Sequence, residues 1–452
     1  MKRPRFVIET TAEMLHSQSG FALAGTILNN GRLRKRLDMI RPGKRRKGSV
    51  PDSDVLISMI ALLCHGKSDF EAIEAFQDDS FFKRALGLES VPSEPTLRQR
   101  LDGIGLAAES ILLKESARLI AQYAPKVTPC WHDYVPIDAD VSPFDNSGTK
   151  KEGVSCTYKL RDGYAPMFAY LGLEGYLLYA QLREGKQHCQ EGTPEFLKEV
   201  ITRAREVTTK PLLVRMDSGN DSLDNLEICR KQKVDYVIKR NLRKESKEEW
   251  LETAQAFGEW EHPREGKEVY RGETFLEREN RLYRVIFEVT QRTIKADGQH
   301  LLIPEVKVDT YWTSLKASPE EIIELYHQHG TSEQYHSEIK SDMGLERLPS
   351  GKFATNALVL LLSMVAYNIL RIIGQTALEE NDNLPPGQKM PIRKKIKRRR
   401  VRKIIQDFMY MAGKVVNHGN RWRIRLADRN PWHAAWNAVY QVLIEPIKAV
   451  PG

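Results

Sequence analysis

Cysteine is scarce. The chain holds five in 452 residues (Cys64, Cys130, Cys156, Cys189 and Cys229), and no two form a C-x-x-C pair. That argues against a disulfide framework and against a zinc knuckle, and it fits a reducing compartment. Long hydrophobic runs are also missing. The longest, from Ala357 to Leu370, is interrupted by Ser363 and closed by Asn368 and Arg371, which is short for a membrane span and expected as a buried helix. The first residues, MKRPRFVIETTAEML, start basic, but Glu9 breaks the apolar stretch before a signal-peptide core forms. The expectation is a soluble, cytoplasmic protein with no membrane partner. No internal repeat is visible.

Charge, by contrast, is abundant and uneven. The net charge is +9, and two windows account for all of it. Nine basic residues fall between Arg32 and Lys47, among them Arg45, Arg46 and Lys47, opposed only by Asp38. Nine more fall between Arg393 and Lys403, including Arg398, Arg399 and Arg400, with no acid. Without these windows 51 basic residues face 59 acidic ones, a net of −8. Two dense cationic patches on an acidic body are expected to bind nucleic acid through its phosphates.

Periodicity divides the chain. Residues 1–50 read as a loosely ordered basic arm. Residues 51–130 carry helical patterns, such as DVLISMIALLCHG and PSEPTLRQRLDGIGL with Arg98 and Arg100, and read as an all-helical DNA-binding or dimerisation domain. At Tyr134 the period becomes two, and YVPIDADVS, GYAPMFAYLG and GYLLYAQLREG read as antiparallel strands. Helix, strand, helix and strand follow, and right-handed crossovers add the later strands in parallel to the same sheet. Residues 241–314 read as a β-rich insertion. Residues 315–378 return to long helices, and 379–452 form a basic helical C-terminal region. The fold class expected is α/β.

Acidic side chains sit where an open sheet would gather them. Asp138 and Asp140 share one face of the PIDADVS strand, and Asp217 follows the strand PLLVRM at its carboxyl end, where open α/β sheets place ligands. A third carboxylate, Glu333, lies seven residues after Tyr326 and seven before Lys340, with His329 between. On one continuous helix over Ser318–Met343, Tyr326, His329, Glu333 and Lys340 would share a face. Converging carboxylates suit Mg²⁺, or Mn²⁺, and two such ions suit in-line phosphodiester chemistry. His327, His329 and His336 lack the cysteine pair that a zinc reading would want.

The pattern Y-x2-R-x3-E-x6-K, met here by Tyr326, Glu333 and Lys340 with His329 in the arginine's place, resembles the signature of DDE transposases of bacterial insertion sequences. PIDADVS, VRMDSGNDSL, PSEPTLRQRL and VDYVIKR resemble the 1380-type family among them, over about residues 50–375. The resemblance implies an RNase H-like core and an Asp140, Asp217 and Glu333 triad binding two metal ions, with Asp140 preferred because Ser142 follows it, and Asp138 as the alternative. It implies phosphate contacts from Tyr326 and Lys340. A neutral imidazole at His329 cannot reproduce a bidentate guanidinium. An aromatic from the insertion stacks on a flipped base in related enzymes; Trp312 is the candidate, against the plainer reading of a core aromatic.

The implied activity is cut-and-paste transposition, with metal-dependent hydrolysis at the element ends followed by 3′-hydroxyl strand transfer. The implied partners are terminal inverted repeats, target DNA and a second copy of the chain; the implied setting is the bacterial nucleoid. Two rivals remain: an RNase H-like DNA nuclease that never joins ends, and a non-catalytic DNA-binding repressor of related elements.

Overall fold

The computed structural model describes residues 8–30, 32–40, 49–392, 394, 396–419 and 421–445. A nine-stranded mixed sheet organises them. In chain order its strands are β1 (Val135–Val141), β2 (Met167–Leu171), β3 (Tyr176–Gln181), β4 (Leu212–Met216), β5 (Asp235–Lys239), β6 (Glu259–Arg264), β7 (Lys267–Arg278), β8 (Arg281–Ile294) and β9 (His300–Thr313). Across the sheet they run β6-β7-β8-β9-β5-β4-β1-β2-β3. Strands β1 to β3 are antiparallel neighbours, whereas β4 lies parallel to both β1 and β5. The β2–β3 turn uses Gly172 and Gly175, both at positive φ, where only glycine is free of a Cβ penalty.

The segment expected as an insertion is β-rich, but it does not stand apart. Its last strand pairs with the central sheet, Trp312 opposite Ile238 in an antiparallel register, so β6 to β9 prolong the sheet. The charged stretch before it contains a helix, Lys247–Phe257, started by Ser246, whose hydroxyl accepts from the backbone N–H groups of Glu248 and Glu249.

Behind the sheet lies the helix Phe353–Asn383. It is long and apolar enough to cross a membrane, yet its apolar window is wholly buried within the protein. A helix apolar on every side needs partners on every side, and it has them in the helices Asp52–Cys64, Glu109–Tyr123 and His433–Ile444 and in strand β3. Gly374 lets the chain at Ile404 come close, since a Cβ there would meet that side chain at 2.4 Å. One hydrophobic core runs from Phe21 to Leu443, so the N-terminal helices and the sheet share it.

Two sequence expectations need correction here. Much of the segment read as a loose basic arm is folded: Phe21–Asn29 and Leu33–Asp38 are helices with buried apolar faces, and Met14–His16 joins a small sheet with Gly413–His418 and Arg421–Leu426. Arg34 and Arg36 pair with Asp54 and Glu115. Arg45, Arg46 and Lys47 lie outside the described residues. On the helix Glu94–Ile104, Arg100 is tied to Asp52, and Arg98 pairs with Glu94. Arg100 therefore braces one helix against another, whereas Arg98 pairs within its own helix and stays half exposed.

Candidate active site

Strand β1 carries two aspartates with different fates. Asp138 faces Arg215 on the parallel neighbour β4. The guanidinium makes two hydrogen bonds to its carboxylate, at 2.7 and 2.8 Å, and His329 Nδ1 lies 2.9 Å from the same group. Asp138 and Arg215 are both buried. Burial alone would raise the Asp138 pKa, but Arg215 and His329 more than offset it and leave it lowered. Its charge is satisfied from within.

Asp140, two residues on, has no guanidinium. Its Oδ1 accepts the Val141 N–H at 2.7 Å, and its Oδ2 lies 3.4 Å from His336 Nε2. That nitrogen is buried and makes no hydrogen bond. Burial raises the Asp140 pKa, but His336, His329 and the Val141 N–H outweigh it, and the carboxyl titrates below its ordinary value. The register that sets Ala139 beside Met216 carries Asp217, just past β4, toward Asp140. Asp217 titrates above its ordinary value, first because it is buried and next because the Asp140 charge is near; the Asn220 side chain, donating at 2.8 Å, offsets part of this. Like charges at one site push their pKa values apart in this way.

Both carboxylates line one cleft of about 510 Å³, together with Cys156, Tyr158, His188, Cys189 and Gly219. Tyr158 sits on a small flap built from Phe144–Asp145, Ser155–Cys156 and Asp162–Tyr164. Its ring is open to solvent, but its hydroxyl reaches 3.5 Å from the Val141 carbonyl. Burial of that end, then the charges of Asp140, Asp217, Cys189 and Glu333, push its pKa up to about 12.

The helix expected over Ser318–Met343 is present, but its winding changes along it: Pro319–His327 is α, Gln328–Thr331 a 3₁₀ turn, Ser332–Ser337 α and Glu338–Asp342 a π turn. Tyr326 is half-buried against Tyr311, its ring 4.8 Å away, and feels the charges of Asp217 and Asp140 after the larger effect of burial. His329 turns to Asp138. Glu333 is exposed in the first turn of its helix. Lys340 donates to the Pro143 carbonyl at 2.6 Å and lines a neighbouring cleft of about 380 Å³ with Lys159, Arg161 and Glu346. The two clefts share Thr157.

Other expected contacts fall elsewhere. Trp312 is buried; its indole donates to Asp221 at 2.7 Å, and Arg240 stacks on it at 4.5 Å, which is the core-aromatic reading. Arg398 binds Glu338 and stacks on Tyr335 at 4.2 Å. Arg399 pairs with Asp407, and Arg400 pairs with Asp342. Arg398 and Arg400, expected on DNA, instead fasten the C-terminal run to the helical segment that bears Glu333 and Lys340, and Arg399 ties that run to its own next turn.

Sequence reading missed Arg215 and the Tyr158 flap, and weighed His336 only as a zinc ligand. Arg215 precedes Asp217 by two on its strand, as Asp138 precedes Asp140, but the register that pairs Arg215 with Asp138 is not visible in the sequence. His336 follows His329 by seven. The flap's signal was the cluster Tyr158-Lys159-Leu160-Arg161 between glycines.

Oxygen donors fit a hard divalent cation, and among the described residues no lysine or arginine forms an ion pair with Asp140 or Asp217. Among the described residues no group of three His, Cys, Asp or Glu stands positioned to hold a metal ion. Two carboxylates completed by waters and substrate phosphate match the habit of Mg²⁺.

The model of the family described as Transposase DDE domain group 1 matches residues 1–446. Among solved structures, a piggyBac transposase synaptic complex with hairpin DNA is similar at 12% identity and a TM-score of 0.41, over 86% of this chain and 79% of that one. So distant a likeness carries no argument about this site. No curated protein matches.

Proposed function

The chain belongs to the group 1 DDE transposase domain family, and from that premise we propose that it cuts and joins DNA ends with Asp140, Asp217 and Glu333 as its catalytic carboxylates. The single observation behind this is the contrast on β1. Asp138 is neutralised by Arg215, while Asp140 and Asp217 share a cleft without a cation of their own. That favours Asp140 over Asp138 as the first acid. The sheet order β3-β2-β1-β4-β5, antiparallel and then parallel, supports an RNase H-like core.

Asp140 and Asp217 would hold Mg²⁺ or Mn²⁺, with Glu333 joining them. When bound, two such ions supply activation of the attacking oxygen and stabilisation of the leaving one. The chain's own residues do the rest. Arg215 and His329 fix β1 and β4 against each other through Asp138, so the two open carboxylates are held at a set separation. Lys340, Lys159 and Arg161 present cations beside the cleft for a flanking phosphate. Tyr158 keeps its proton at neutral pH and so remains a donor rather than a fourth negative charge. The partners in this reading are the element's terminal repeats and target DNA, with two copies of the chain pairing the ends. Its place is with the chromosome in the cytoplasm.

The test uses a supercoiled plasmid carrying the gene with its native flanks, purified protein and Mg²⁺. Wild type should release a fragment at the flanking repeats. Asp217→Asn should bind the same DNA and cut at least about a thousandfold more slowly, the loss of some 4 kcal/mol of transition-state stabilisation. Equal cutting by both proteins would overturn the assignment. A marked 3′ end offered with target DNA then separates joining from cutting alone.

A further inference from the structure

The two basic windows conspicuous in the sequence largely spend their described charges on internal partners, but a third, inconspicuous set does not. In the strand Arg421–Leu426, RWRIRL, arginine alternates with apolar residues. Trp422, Ile424 and Leu426 are half-buried and packed against the core, and Arg84 stacks on Trp422 at 4.4 Å. Arg421, Arg423 and Arg425 are exposed on the other face. The strand is at the edge of its three-stranded sheet. Its register sets Arg421 opposite His418, Arg423 opposite Val416 and Arg425 opposite Lys414. Among the described residues no carboxylate, hydrogen-bond acceptor or aromatic ring engages these three guanidinium groups. The acid nearest on this sheet, Glu13, is taken by Lys414, and Asp428 lies in the turn beyond.

We propose that Arg421, Arg423 and Arg425 form a sequence-independent track for the phosphate backbone of duplex DNA, separate from the carboxylate cleft. Alternation on a strand places successive arginines about 7 Å apart and the outer two about 14 Å apart. Over that length one DNA strand presents about four phosphates, at 3.4 Å of axis each. A strand anchored by its inner face fixes the backbone of the row, so the spacing of the three arginines is set before binding. The choice of DNA among polyanions rests on the transposase reading.

The experiment measures affinity of the full-length protein for a 30-base-pair duplex of arbitrary sequence as salt is varied. Three contacts at about 0.9 each should make the plot of log affinity against log salt shallower by about 2 to 3 in Arg421→Gln/Arg423→Gln/Arg425→Gln. The triple Arg→Lys variant should keep the wild-type slope, and Arg423→Gln alone should lose about 0.9. Unchanged thermal unfolding would show that the hairpin still folds. An unaltered slope in the glutamine variant overturns the proposal, as does loss of binding to phosphatidylserine vesicles with DNA binding intact. Asp217→Asn keeps the two readings apart. If it cuts normally while the glutamine variant loses slope, the catalytic reading fails and the track stands. If it is inactive while the glutamine variant binds like wild type, only the track fails.

Discussion

Glu338 and Asp217 are both acids withdrawn from water, and they are treated in opposite ways. Glu338 accepts from Arg371 at 2.8 Å, Arg398 at 2.9 Å, Tyr367 at 3.2 Å and the Val401 N–H at 3.2 Å. Every lone pair that faces the interior has a donor. Asp217 has the Asn220 amide and, across the cleft, another carboxylate. The first arrangement fastens the C-terminal run to the π turn Glu338–Asp342. The second leaves negative charge unanswered at a surface cleft. Burial of charge is thus informative only with its partners counted: a completed network is structural, and an incomplete one is a place for a ligand.

The largest effect should come from opening the completed network. Glu338→Ala leaves the two arginines Arg371 and Arg398 beside an empty acceptor site in the core, and removing one partner of a buried pair costs about 3–5 kcal/mol. Chemical denaturation should place the variant that far below wild type. A loss within about 1 kcal/mol would mean that the arginines find water or other acceptors, and the contrast with Asp217 would lose its structural half.

The same contrast explains what could be read in advance. Strands β1 to β5 were legible because their apolar alternation and flanking turns are local. Asp140 and Asp217 were legible as candidates because each falls at a strand position that faces a sheet edge. The fate of Asp138 was not, because it depends on Arg215, 77 residues away in sequence, and on which strand lies next to β1. The run 393–403 misled for the same reason. No acid lies within it, but Glu338 and Asp342 come to it from the π turn. The alternating arginines of RWRIRL escaped notice because a charge count over a window does not record which face each residue takes. The change of winding after His327 was hidden as well, since seven-residue spacing is the same on paper whether the intervening turns are α, 3₁₀ or π.

A smaller effect of opposite sign is expected in the cleft. The Asp217 pKa is raised above its ordinary 3.8, so the folded state holds this proton more tightly than the unfolded one. Stability that is fully present below the ordinary value is lost as pH rises through the raised one. In a chelating buffer Asp217→Asn should therefore be more stable than wild type at neutral pH, and the difference should close on acidification toward the ordinary carboxylate value. Thermal unfolding at several pH values reads this directly. Adding Mg²⁺ should then raise the wild-type midpoint by mass action, about 2.7 kcal/mol at a hundredfold excess over its Kd, and leave Asp217→Asn nearly still. A wild-type midpoint indifferent to Mg²⁺ would remove the cleft's proposed ligand.

The smallest effect belongs to the rim of the completed network, where it tests how far completion extends. Arg400 makes hydrogen bonds to Asp342 at 2.8 and 3.0 Å, but its side chain is half exposed, and Asp342 keeps Arg402, which lies 3.1 Å away, and the Arg402 N–H at 3.1 Å. Removing a solvent-screened partner from an acid that retains two others should cost no more than about 1 kcal/mol. Arg400→Ala should accordingly unfold close to wild type, far from Glu338→Ala, although both changes strike the same turn. If the two losses were equal, the π turn would depend on every cation in the run, and the distinction between core and rim partners would not hold.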